Sequence, residues 1–160
     1  MWIPYEKFAV ATTGQETEAR CPLSRKAPAM TATASLDTRL TAHSATALGF
    51  FRILTGLMFT MHGTMKLFGW PTGSPAAVAA WPMWWAGVLE AILGVLIAIG
   101  WYVRAAAFVA CGMMAVAYFW MHFPAGFWPV VNGGETAVLY CFAFLLFVFH
   151  GPGALGVSRR

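Results

Sequence analysis

Four apolar stretches, at about 45–69, 83–100, 104–122 and 135–150, dominate this 160-residue chain, and each approaches the roughly 20 residues that carry a helix across a bilayer. In hydrocarbon a backbone must satisfy its own polar groups, which helices do within one segment. The predicted fold class is therefore all-α, an integral membrane four-helix bundle. Composition agrees: 59% of residues are hydrophobic and 10% charged, against about 25% charged in soluble domains. The formal charge of +4 is no sign of nucleic acid, because the basic residues lie in the tail and at helix ends without forming a run.

Punctuation sets the boundaries. Gly69-Trp70-Pro71 and Thr72-Gly73-Ser74-Pro75 end the first stretch, and Arg104 opens the third. Phe123-Pro124-Ala125-Gly126 stops the third, Asn132-Gly133-Gly134 turns the chain into the fourth, and Gly151-Pro152-Gly153 closes it. Residues 1–43 are polar, mixed in charge and rich in Ala, Thr and Pro, and are expected to be a disordered cytoplasmic tail. Met30 offers a second candidate start within it. Residues 44–153 form the transmembrane domain, and 154–160 a short basic tail.

Cytoplasmic segments of membrane proteins hold the excess of Lys and Arg. Arg39, Arg104, Arg159 and Arg160 all fall on one side of the predicted topology, whereas Trp70, Trp81, Trp84, Trp85, Trp120 and Trp128 crowd the other. Both termini are thus expected inside, with loops 70–82 and 123–134 outside. The tryptophans need be no more than an interfacial belt.

Ionised groups in a membrane are costly, and they usually face a bundle interior and mark function. At 1.5 Å per residue, His62 and Glu90 both lie about 10 Å below the outer ends of their helices. Lys66 is one turn above His62, and His122, Asn132 and Glu135 stand at the outer mouths of the third and fourth helices. Arg52 is near the inner face, with no evident partner. At 100° per residue Arg52, Gly56, Phe59, Gly63 and Lys66 share a narrow arc, and Gly87, Glu90 and Gly94 share another. Small residues on such arcs suit close helix packing. For Lys66 and Glu135 simple charge pairing is the plainer role, and Glu135 also suits a helix start.

The segments His62-Gly63-Thr64-Met65-Lys66-Leu67-Phe68-Gly69, Glu90-Ala91-Ile92-Leu93-Gly94, His122-Phe123-Pro124-Ala125-Gly126-Phe127-Trp128-Pro129 and Asn132-Gly133-Gly134-Glu135, taken together, resemble the DoxX family. The resemblance runs from about Leu48 to Gly153, with Arg52, Arg104 and Gly151-Pro152-Gly153 at fitting positions. It implies a four-helix protein of the bacterial inner membrane. The family takes its name from a subunit associated with a terminal quinol oxidase and is related to thiosulfate:quinone oxidoreductase subunits; mycobacterial relatives are linked to an oxidative-stress complex. Its recurrent polar positions map onto Arg52, His62, Lys66, Glu90, His122, Asn132 and Glu135.

The leading expectation is an accessory subunit of a quinone-linked redox or oxidative-stress complex, with a quinone or quinol head-group in the outer half of the bundle. His62 and Glu90 would exchange protons, and Lys66 would stabilise developing quinolate charge. Trp84, Trp85 and Tyr118 would wall the ring, and His122, Asn132, Glu135 and Arg52 complete the polar set. There is no haem-attachment motif, CxxC or nucleotide loop, so electrons would come from a partner subunit. The alternatives are a non-enzymatic docking subunit built around Lys66 paired with Glu90 or Glu135, and a small-solute or proton path. No local spacing resembles a metal motif. Cys111 and Cys141 are expected to be small core residues, axially separated by roughly 7 Å and badly placed for a bridge. Lipid, partner membrane subunits or a second copy are the predicted contacts.

Overall fold

The computed structural model describes residues 32–157. Within them α1 spans Ala32–Phe68, α2 Met83–Ile99, α3 Val103–Ala117, α4 Pro129–Asn132 and α5 Glu135–His150. One π-helical turn, Tyr118–His122, and a 3-10 turn, Phe123–Ala125, extend α3. The later three long helices sit where the apolar stretches place them.

The start of α1 differs from the expectation. Residues 32–43 continue the helix instead of belonging to an irregular tail, while residues 1–31, including the candidate start at Met30, lie outside the described residues. The physical reason is cooperative extension: the apolar part provides the nucleus, and each added residue then gains a hydrogen bond. No Gly or Pro interrupts Ala32–His43, and Leu36 and Leu40 are spaced one turn apart. At 37 residues the helix is about 55 Å long. That exceeds the roughly 30 Å hydrocarbon core of a bilayer.

Helices α1 and α2 form one antiparallel pair and α3 and α5 another; α2 meets α3 less extensively, and α1 barely touches α5. The first pair is close because of its glycines. A Cβ on Gly63 would lie 2.5 Å from the Ala91 backbone nitrogen, and one on Gly56 2.6 Å from that of Ala98. The small-residue arcs of α1 and α2 therefore face each other, as membrane helix contacts prefer. In the second pair Ala106, Ala107 and Ala110 are buried. Phe59 of α1 joins the pairs by meeting Phe144 edge-on at 4.7 Å and Tyr140 at 5.3 Å.

The exterior is strongly apolar, with Phe50, Leu54, Leu57, Phe108, Leu139, Phe142 and Phe149 exposed. Ser35–Phe68 and Val103–Ala125 are long and apolar enough to cross a membrane, and Met83–Ile99 and Glu135–His150 are shorter apolar helices. A side-chain shell of this kind suits lipid.

Arg52 fastens the end of the molecule where α1 enters its apolar part. It is entirely buried, and its Nε donates to the Pro152 carbonyl at 2.8 Å, Nη1 to those of Ile97 and Ala98 at 2.5 and 2.6 Å, and Nη2 to that of Leu155 at 3.0 Å. The expected lack of a partner is thus corrected, and so is its inclusion in the polar set near Lys66. Its acceptors are carbonyls in the last turn of α2, where the intrahelical ladder runs out and the Ile97 carbonyl also takes the Gly100 N–H, and the returning chain after α5. Arg104 likewise donates from Nη1 to the carbonyls of Val148 and Phe149 at 2.6 and 2.8 Å.

That second clamp explains another correction. Cys111 Sγ and Cys141 Sγ are 3.6 Å apart, both as free thiols. Measuring depth from the far ends of α3 and α5 misleads, because the π turn carries α3 past the start of α5. Measured from Arg104 and Val148 the two are level: Cys111 lies seven residues after Arg104, and Cys141 seven before Val148.

Candidate functional site

At the opposite end, Lys66 in the last turn of α1 and Glu90 in the middle of α2 form an ion pair between Nζ and Oε1. Glu90 is 3% exposed and the Lys66 side chain 22%. The Gly63–Ala91 approach lets these side chains meet across the helix pair, so the packing of small residues and the placement of charge are one feature. Glu135 takes no part: it is exposed at the first turn of α5 and lines neither of the two cavities that adjoin the pair. Its position suits an acid near a helix N-terminus.

The first cavity, of about 220 Å³, opens beside the pair and is lined by His62, Lys66, Glu90, His122 and Tyr140 among others. Two of its buried polar atoms, Glu90 Oε2 and the Tyr140 hydroxyl, have no hydrogen-bond partner among the described residues. Such atoms are rare in folded proteins, where buried polar groups are nearly always paired. The His62 ring stands edge-on to Tyr140 at 5.7 Å. Tyr140 is a site residue that sequence reasoning missed; its only signal was one hydroxyl inside the apolar run of α5.

A second, larger space of about 460 Å³ lies between α2 and α3, where the two helix pairs meet loosely. Trp81, Trp85, Leu89, Met113, Trp120 and Met121 contribute to its mainly apolar walls. Lys66, Glu90, Met114, Ala117 and His122 line both spaces. The charged pair therefore stands between a chamber of mixed polarity and an apolar groove. Trp85 lines the larger space, whereas Trp84 packs edge-on against Trp85 at 4.9 Å and lines neither.

The π turn positions His122. Widening one turn inserts an extra residue and re-aims the side chains beyond it. Around it Asn132 organises the connection to α5: its Nδ2 donates to the Gly126 carbonyl at 2.7 Å and to the Tyr118 hydroxyl at 3.4 Å, and its Oδ1 accepts from Gly134 N at 2.8 Å. The Asn132 carbonyl sits 3.3 Å from His122 Nδ1. Tyr118 donates its hydroxyl proton to the Phe127 carbonyl and lines neither space. Tyr118 and Asn132 are thus loop ties, which corrects the expectation that Tyr118 walls a ring.

Chemically the site offers a cation, a carboxylate with one open oxygen, a phenol and two imidazoles. Such a set can hydrogen-bond a ligand carrying two oxygens and pass protons to it. No group of three or more His, Cys, Asp or Glu side chains suited to a metal ion occurs among the described residues.

Residues 47–123, which carry His62, Lys66, Glu90 and His122, match the model of the DoxX family. The chain is also similar to an uncharacterized protein of Haemophilus influenzae (strain ATCC 51907 / DSM 11121 / KW20 / Rd), with 40% identity over 119 residues that make up 71% of this chain and 89% of the relative. No solved structure matches the chain. With its apolar exterior and membrane-length helices, the chain belongs to the DoxX family of membrane proteins.

Proposed function

We propose that this DoxX protein is an accessory subunit of a quinone-linked redox complex in the bacterial inner membrane, with four spans and both termini cytoplasmic. It holds a quinone or quinol head-group at Lys66 and Glu90. The observation that carries this reading is the pair of unpartnered polar atoms, Glu90 Oε2 and Tyr140 OH, on the wall of a chamber that shares Lys66, Glu90 and His122 with an apolar groove. A quinone has that duality, with carbonyl oxygens on a ring and an apolar tail. The groove volume falls in the usual range of about 300–1,000 Å³ for ligand sites.

In this reading the tail enters between α2 and α3, past Trp85 and Met121. Lys66 Nζ and Tyr140 OH donate to the two ring oxygens, and Glu90 and His62 hold or release the protons that accompany reduction. Electrons pass to or from a partner subunit.

The test is gentle purification from native membrane, with quinone extracted from the protein and co-purifying subunits identified. Binding of decylubiquinol, whose hydroxyl donates to Glu90 Oε2 in this reading, is expected, weakened at least about tenfold by Glu90→Gln, which corresponds to the loss of one hydrogen bond to a charged group. Absence of extracted quinone, together with unchanged binding by Glu90→Gln, would sink the reading. The completed Lys66–Glu90 pair favours a second reading, a register lock in a docking subunit. That reading expects partner proteins in the preparation and no quinone.

A further inference from the structure

The contact between Cys111 and Cys141 goes beyond packing: we infer that these residues are a reversible dithiol/disulfide couple whose electron acceptor is a membrane quinone. Their sulfurs are 3.6 Å apart on neighbouring helices, at one level of the bundle. A disulfide needs about 2.05 Å, so an approach of roughly 1.5 Å closes the bond, within reach of a side-chain rotation and a slight helix shift. Ala106, Ala107 and Ala110 are buried on α3, which packs extensively against α5.

Both cysteines are half-buried within apolar helices. An oxidant that dissolves in lipid reaches such sulfurs, whereas ionic thiols and disulfides from water do not. This inference rests on the quinone reading for the nature of that oxidant. The pair also adjoins the proposed site: Met114, one turn beyond Cys111, and Ala137, one turn before Cys141, both line the 220 Å³ chamber.

The reaction balances without another reagent. Two S–H bonds break and one S–S bond forms; two electrons and two protons reduce the two quinone carbonyls to hydroxyls. The product bond ties α3 to α5, the two helices that supply Met114, Ala117, Ala137 and Tyr140 to the chamber wall. A phosphine reductant, oxidised to its phosphine oxide with water as the oxygen source, returns the thiols.

The experiment treats the full-length protein in native-lipid vesicles with decylubiquinone, with diamide as a non-quinone oxidant, or with buffer. Peptide mass mapping is then done after differential alkylation. Loss of both thiols with a Cys111–Cys141 linked peptide under quinone, reversed by phosphine and abolished by Cys111→Ser, is the expected result. Closure by diamide alone overturns the inference, as do closure by neither oxidant and linkage of either thiol to Cys21. Quinone binding is read in parallel on Cys111→Ser protein. Binding without any disulfide in the unsubstituted protein overturns this inference alone, whereas absence of binding overturns the proposed function and this inference together.

Discussion

Two cations mark opposite ends of the protein, Arg52 buried and Lys66 partly so, and they are satisfied in different ways. Lys66 has a carboxylate, Glu90; Arg52 has four backbone carbonyls and, among the described residues, no acid. Removing one member of a buried pair strands the other charge, at a cost of about 3–5 kcal/mol. Glu90→Leu and Lys66→Met are each expected to lower the melting temperature in detergent markedly, and the double variant is expected to recover most of the loss. Equal, additive losses would show that the pair is not coupled. Arg52→Lys is expected to destabilise nearly as much as Arg52→Ala, by on the order of 3 kcal/mol, because an ammonium cannot span acceptors that suit a planar fork. Limited proteolysis after residue 150 is the readout, since Arg52 ties down Pro152 and Leu155. The sequence marked Arg52 as costly and therefore purposeful, but its partners are carbonyls, which every residue owns. No side-chain pattern can announce them.

At the level of helices, close approach and local widening decide the site. Gly63→Ala places a methyl group against the backbone of Ala91, and overpacking of this kind typically costs about 1–3 kcal/mol. It is expected to push α1 from α2 and part Lys66 from Glu90, lowering both melting temperature and decylubiquinone affinity. Gly112→Ala is the control, because nothing lies within 4 Å of its added carbon; it is expected to be neutral. Deleting Phe119, an exposed member of the π turn, is expected to restore α-helical register and rotate His122 by about 100°. Affinity should then fall with little change in melting temperature. The boundaries of α2 and α5 were legible because Pro, Gly and charge punctuate apolar runs there. The π turn was not, since nothing in Tyr118–His122 departs from an ordinary helical stripe. The level of Cys111 and Cys141 was hidden for the same reason: helix ends are poor rulers when one helix outruns its neighbour.

For the molecule as a whole, the arrangement of two helix pairs explains where the spaces lie. Glycine and alanine faces close each pair, and the looser seam between α2 and α3 leaves the apolar groove. Filling that seam with a bulkier side chain, as in Ala86→Phe, is expected to block the groove and abolish decylubiquinone binding while leaving the Cys111–Cys141 contact intact. Alkylation of both thiols in that variant checks the second part. The convergence of His62, Lys66, Glu90 and His122 was readable from depth and topology alone, because residues spaced along apolar helices have calculable heights. Which of them share one chamber, and that Tyr140 joins while Glu135 does not, depended on rotation about each helix axis.

The contrast between the two cations also has an electrical meaning. The Lys66–Glu90 pair is neutral as a unit, whereas Arg52 and Arg104 rest on carbonyl dipoles and leave their end positive. Across an energised membrane each such charge is worth about 2.3 kcal/mol per 100 mV. In the proposed topology, with both termini cytoplasmic, the potential favours the Arg52 end on the negative side without loading the chamber that Lys66 and Glu90 share.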